Sequence, residues 1–336
     1  MHAYLAWRRD PYNASLRETW KHTLDEAAHW LWGAVMQPVE EALEQVLKPG
    51  SRVTLIPSGL LSLLPLHAAW TEDESRPSQR HYALDDFTFT YAPSAQALLQ
   101  ARQQAAVVSA DSLLMIENPD GLLHFSAPAA EAALALFERK VHLPKGKATH
   151  QAVQEAFSAH NVLYFFTHGV ARFDEPLQSG LTLADQPLTL NDIFGLNTRQ
   201  ARLAVLSACE TGVPANLQLL DEVVSLPSGL MQAGVPGVVG SLWSVLEIST
   251  SILMTIFFEL WRKQGLPPAE ALRQAQIILR EARFSRQQRD YFEDDLSEQI
   301  ARFMSPTEIA DLFDKSLQLS DFDHPFYWAA FTYTGL

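Results

Sequence analysis

Two stretches decide how this chain folds: Val162-Leu163-Tyr164-Phe165-Phe166-Thr167-His168-Gly169 and Leu203-Ala204-Val205-Leu206-Ser207-Ala208-Cys209. Each is a short, unbroken apolar run that stops at a chemically able side chain. Such runs suit strands buried on both faces, the condition of central strands in a parallel sheet. The flanking segments agree. A strand is expected at Ser112 to Ile116, followed by helices at Pro128 to Lys140 and Thr149 to His160. Beyond the first run a short helix is expected at Leu190 to Phe194, and beyond the second a helix at Leu220 to Ala233. A strand Gly237 to Trp243, helices Ile248 to Gln264 and Pro268 to Phe284, and a closing strand Tyr327 to Tyr333 complete this part. Alternating strands and helices imply parallel strands joined by right-handed crossovers. The expected fold is therefore a three-layer α/β/α sandwich with a mostly parallel central sheet.

Upstream, apolar residues at Leu24, Ala27, Leu31, Val35, Val39, Leu43 and Val46 mark an amphipathic helix from Leu16 to Leu47, kinked or split at Pro38. Pro49-Gly50 ends it, so residues 1–48 read as an N-terminal helical segment and 49–336 as the main domain. Strands are expected at Val53 to Ile56 and Phe87 to Tyr91, with a polar loop at Thr71 to Arg80 between them. Ser285 to Glu298 is charged and reads as a solvated excursion.

The chain has 336 residues, 47% hydrophobic and 19% charged, which is globular composition. With 25 basic and 39 acidic residues the net charge is −14, which disfavours direct binding to nucleic acid or anionic membranes and suits a basic polypeptide better. One cysteine permits no internal disulfide and no cysteine-built zinc site, as expected in the reducing cytoplasm. No secretory signal or membrane span is expected. The 11 histidines show no metal-ligand spacing, so neither a metal nor a cofactor is expected. Phosphate-loop, dinucleotide, zinc-peptidase and serine-elbow motifs are absent; Ser58 and Ser228 lie in turns, while His67 and His324 read as packing residues.

His168 and Cys209 each follow the carboxyl end of an expected strand, where the functional groups of α/β sheets gather. The two strands are consecutive, and neighbouring strands lie about 4.8 Å apart. A thiol with a pKa near ~8.5 is mostly protonated at neutral pH, so a nucleophilic cysteine needs an imidazole to take its proton. Gly169 and Gly212 let backbone approach a substrate closely, and the N–H groups of Gly169 and Cys209 are the candidate oxyanion donors. Taken singly, a lone cysteine in an apolar run reads as packing and a lone histidine as a structural hydrogen-bonder; the paired placement favours a site.

Tyr164-Phe-Phe-Thr-His168-Gly169 and Leu206-Ser-Ala-Cys209-Glu-Thr-Gly212 resemble the two signature blocks of the CHAT family, caspase-like peptidases related to caspases, separase and gingipains. The separation, 209 − 168 = 41 residues, is also similar to the family's. Further family-like blocks are Ile56-Pro-Ser-Gly-Leu-Leu-Ser-Leu-Leu-Pro-Leu-His67, Ser179-Gly-Leu-Thr-Leu-Ala-Asp185, Ala233-Gly-Val-Pro-Gly-Val-Val-Gly-Ser-Leu-Trp243 and His324-Pro-Phe-Tyr-Trp-Ala-Ala-Phe331. The resemblance spans about residues 15–336. Tyr164 stands where many members carry a second histidine, and Leu246-Glu247 where an acidic pair is common.

The resemblance implies a caspase-like fold and a cysteine endopeptidase with a Cys209–His168 dyad working through a thioester. It implies that Ser241-Leu242-Trp243 pairs with substrate backbone, and that the following residues line the pocket before the cut bond. Glu247 then falls where a separase-like acid would meet arginine; the other reading is a carboxylate favoured by a helix N-terminus. Glu210 and Asp174 are further candidates for pocket lining or histidine orientation. The resemblance also implies a protein substrate and an activating sensor or repeat-containing partner, in bacterial defence or signalling, with Leu16 to Leu47 as the docking candidate. Two alternatives stay open: a non-catalytic caspase-like scaffold that binds partner proteins, and a different thiol-dependent hydrolase or transferase.

Overall fold

The computed structural model describes residues 2–10, 13–76, 78–170, 172, 175–208, 225–282 and 322–336. Cys209, Glu210, Gly212, Asp174 and the Ser285 to Glu298 stretch lie outside the described residues.

Helices α1 (His2–Arg9), α2 (Ala14–Leu31) and α3 (Gln37–Glu44) open the chain, with a π-helical turn, Trp32–Met36, joining the last two. The expected break near Pro38 is thus a wide turn just before the proline, which removes one helical N–H and crowds the preceding turn. Strand β1 (Arg52–Leu55), a ribbon of β2 (Trp70–Glu72) and β3 (Arg80–Tyr82), and β4 (Thr88–Tyr91) follow. Then come α4 (Ala95–Ala105), β5 (Ser112–Glu117), α5 (Ser126–Ala135), β6 (Arg139–Pro144), α6 (His150–Phe157) and β7 (Val162–Phe166). A small sheet of β8 (Gly169–Val170), β9 (Gly180–Leu181) and β10 (Leu188–Thr189) precedes α7 (Leu190–Gly195) and β11 (Leu203–Ser207). The rest is α8 (Leu226–Gln232), β12 (Gly237–Ser241), α9 (Glu247–Phe258), α10 (Pro268–Glu281), α11 (Pro325–Trp328) and β13 (Phe331–Gly335).

The central sheet has eight strands in the order β1-β4-β13-β12-β11-β7-β5-β6. Every neighbouring pair is parallel except β12 and β13. Five strands therefore run one way and three the other. The carboxyl ends of β7 and β11 lie along the same edge as the start of β4. Apolar side chains alternate between two cores. Leu113, Met115, Val162, Tyr164, Phe166, Leu203 and Val205 pack on one face under α1, α2, α5, α9 and α10. Leu114, Ile116, Leu163, Phe165, Ala204 and Leu206 pack on the other under α4, α6, α7 and α8. A strand covered on both faces has no reason to alternate in polarity, which is why the opening runs are apolar throughout.

Three expected elements differ. The helix at Pro128 to Lys140 ends at Ala135, and residues 139–144 form edge strand β6. Its exposed Arg139, Lys140 and His142 and terminal Pro144 are the charge-and-proline marks of a sheet edge. The closing strand starts at Phe331, because Pro325 initiates a turn of helix over Pro325–Trp328. Strand β12 stops at Ser241, two residues short of Trp243. Trp7 and Leu24 of the N-terminal helices belong to the same core as the sheet, and the Trp7 ring meets Phe326 edge-on at 5.4 Å. Among the described residues no helix is long and apolar enough to cross a membrane.

Candidate active site

His168 stands two residues beyond β7, half exposed at the sheet edge. Its position is set by backbone bonds on both sides. The Thr167 N–H donates to Ser207 O at 3.3 Å, extending the β7–β11 pairing, and the Thr182 N–H donates to His168 O at 2.8 Å. The Thr167 hydroxyl donates to Thr182 O at 2.7 Å. His168 is thus fixed where β7 turns from the main sheet into the small one.

Gly169 pairs with Leu181 across β8 and β9. Because the ladder bond falls on His168 O, Gly169 is a non-hydrogen-bonded position and its N–H faces away from β9.

The segment leading to Cys209 is held from two sides. Ser207 O accepts from Thr167, and Ala208 O accepts from the Ser241 hydroxyl at 2.7 Å, with Ser241 and Ala208 both buried. Cys209 is one peptide bond beyond Ala208. Tyr164, at the place of the family's second histidine, is fully buried and packs its ring 4.9 Å from Phe258, with Ser207 Oγ donating to its hydroxyl at 3.4 Å. Burial pushes the Tyr164 phenol well above its ordinary pKa, so it serves packing and not proton transfer.

The structure adds a residue the sequence reading did not single out. Asp120 Oδ2 lies 3.9 Å from His168 Nε2, both side chains partly exposed. Asp120 sits on the loop after β5, which neighbours β7 on the side away from β11. The loop is built by Asn118, held at φ +46 with its side-chain amide donating to Leu123 O at 2.6 Å and accepting from Leu123 N–H at 2.9 Å. Gly121 follows at φ +75. Asn-Pro-Asp-Gly directly after a strand is the turn signal that could have flagged it.

The expected substrate-binding residues are placed as follows. Ser241 pairs with Phe331 and is buried, and the Leu242 N–H donates to Ala330 O at 2.8 Å. Trp243 is 2% exposed, its indole N–H donating to Phe326 O at 3.2 Å. The segment is thus already hydrogen-bonded within the fold: the Leu242 donor is occupied and the Trp243 ring belongs to the core. Any added substrate strand must use other backbone groups. Glu247 is the first residue of α9, and its Oε2 accepts from the N–H groups of His124 at 2.7 Å and Phe125 at 3.0 Å. It ties the start of α9 to the loop that carries Asp120. His324 caps α11, its Nδ1 accepting from Phe326 N–H at 3.1 Å. Among the described residues no trio of potential metal ligands includes His168.

His168 thus stands just beyond one parallel strand of a mostly parallel α/β sheet, beside the strand whose end precedes the sole cysteine in sequence. The family model for the CHAT domain matches residues 25–336, and the chain belongs to that family. Comparison with curated proteins finds no match. Among solved structures it resembles Saccharomyces cerevisiae separase in its complex with securin, with TM-score 0.54 and 14% identity over 84% of this chain and 15% of that one. It also resembles the complex of Porphyromonas gingivalis RgpB pro- and mature domains, with TM-score 0.52 and 11% identity over 90% of this chain and 68% of that one. The chain thus spans less than a sixth of the separase it matches.

Proposed function

We propose that the protein is a cysteine endopeptidase. In the reaction, the Cys209 thiol gives its proton to His168 and the thiolate attacks the scissile carbonyl. The Gly169 and Cys209 N–H groups receive the oxyanion, and His168 returns the proton to the departing amine. Water, deprotonated by His168, then hydrolyses the thioester. With Nε2 directed towards Asp120, the Nδ1 atom is the one left to serve the thiol, and the Asp120 charge stabilises the imidazolium each time it forms. The observation that supports the reading is His168 two residues beyond β7, paired with β11, whose last residue, Ser207, precedes Cys209 by two positions in sequence.

A thiol peptidase of this kind requires control, and we infer that a sensor or repeat-containing protein switches it on in a defence or signalling setting. A basic residue before the cut bond agrees with the net charge of −14. Glu247 is the candidate acid for it, its Oε2 holding the two amides and its Oε1 the atom to meet a cation, with no hydrogen bond to it among the described residues.

The test is labelling with a peptidyl acyloxymethyl ketone, read by mass spectrometry, in wild type, Cys209→Ala and His168→Ala. Wild type should label at Cys209 and both variants should not. Partner capture without labelling, with candidate activators present, favours the non-catalytic scaffold and overturns the peptidase reading. For the pocket, Glu247→Gln should lower cleavage after arginine or lysine in a peptide library; an unchanged profile removes Glu247 from that role.

A further inference from the structure

Glu40 on α3, His81 on β3 and Asp86 just before β4 come from three separate elements, yet their ligand atoms all lie within 4.8 Å of one another. His81 Nε2 is 2.9 Å from Asp86 Oδ2 and 3.9 Å from Glu40 Oε2. Around a tetrahedral cation with bonds near 2.0–2.1 Å, donor atoms stand roughly 3.3 Å apart. The observed separations bracket that value, so small side-chain shifts suffice to close the site.

A second observation points to a ligand. Glu40 is 4% exposed, and its Oε1 is buried without a hydrogen-bond partner among the described residues. A carboxylate seldom stays buried unless hydrogen bonds or a cation compensate it. The Trp32 ring stands edge-on to the His81 imidazole at 5.1 Å and limits its rotation. The His81 and Asp86 side chains keep 16% and 30% exposure, leaving one solvent-facing side for entry and for a water ligand.

We propose that Glu40, His81 and Asp86 form a binding site for one divalent transition cation, Zn2+ by donor type. One imidazole nitrogen and two carboxylates suit Zn2+, whereas Mg2+ and Ca2+ favour all-oxygen sites. Two potential negative charges around one imidazole, with Glu44 also near, also favour a cation there; of the nearby positive charges, Arg76 is paired with Asp73 and Asp85, and Arg273 with Glu270.

The cation would pin α3 of the N-terminal helices to the β2–β3 ribbon and to the turn entering β4. That turn lies on the same sheet edge as His168, about 19 Å from it by four strand spacings. A metal here would stiffen the edge without touching the thiol chemistry.

The test uses the full chain stripped with a chelator and titrated with Zn2+ by calorimetry, alongside Co2+ absorption. Expected are one equivalent of Zn2+, tetrahedral Co2+ bands without a thiolate charge-transfer band, and a rise in Tm of about 5 °C at saturating metal. His81→Ala should weaken the affinity at least tenfold. Because that variant removes a packed ring, Asp86→Asn, at a partly exposed position, should do the same with the fold intact. No uptake overturns the proposal, as does uptake that survives both substitutions. A thiolate band that vanishes in Cys209→Ala overturns it too, since the metal would then sit on the cysteine.

Discussion

Replacing Asp120 by asparagine keeps the shape of the loop and removes one charge 3.9 Å from His168 Nε2. Two unit charges at that distance interact by about 1 kcal/mol in water-like surroundings and by about 4 kcal/mol at an effective dielectric of ~20. The side chains are 40% and 23% exposed, so the solvent-side value governs. Losing about 1 kcal/mol of charge stabilisation as positive charge develops on the imidazole in the transition state slows the step about fivefold. The assay is the second-order rate of Cys209 alkylation by chloroacetamide at pH 7, followed by intact mass, with Tm measured in parallel. Asp120→Asn should slow labelling about fivefold at unchanged Tm, and high salt should shrink the difference. A rate within twofold of wild type refutes a role for Asp120. A loss beyond a hundredfold refutes the through-space account, because a screened charge at this distance cannot supply it.

Three further outcomes are expected. Ser241→Ala leaves the buried Ala208 carbonyl without its 2.7 Å donor, at a cost of about 1–3 kcal/mol in urea unfolding, and slows Cys209 labelling; no change in either measurement means the clamp is idle. Asp85→Ala strips the buried Arg280 of a 2.8 Å ion pair and Arg76 of one at 2.7 Å, and should cost about 3–5 kcal/mol; a cost under 1 kcal/mol by urea unfolding would show that neighbours reabsorb the charge. Burial pushes His67 down to about 4 from 6.5, so between these values the unfolded chain binds the extra proton and stability rises with pH. The contribution, complete above pH 6.5, is lost towards pH 4 and amounts to about 3 kcal/mol. His67→Gln should flatten the wild-type pH slope of unfolding free energy across that window, and parallel slopes would count against it.

Much of the fold was written locally. Apolar runs such as Val162 to Phe166 announced strands covered on both faces, and their placement between helical segments announced the parallel block around them. His168 was legible because its position depends on a single strand end. Strand β6 was not, because Arg139 to Pro144 pairs on only one side and carries the charges of an exposed edge. The turn of the Trp243 ring into the core beside Phe326 was not legible either, because it depends on β13 pairing with β12.

What the sequence by itself determined was therefore the layered α/β plan, the family, and the place of His168 just beyond a strand end. Each of these is carried by neighbours within a few positions along the chain. Only the tertiary structure brought Asp120 to His168, Ser241 to Ala208, and Glu40 to His81 and Asp86, across separations of 48, 33 and up to 46 residues. Local propensity carries no record of such meetings, because strand order and crossover packing, not spacing along the chain, choose which side chains share an edge.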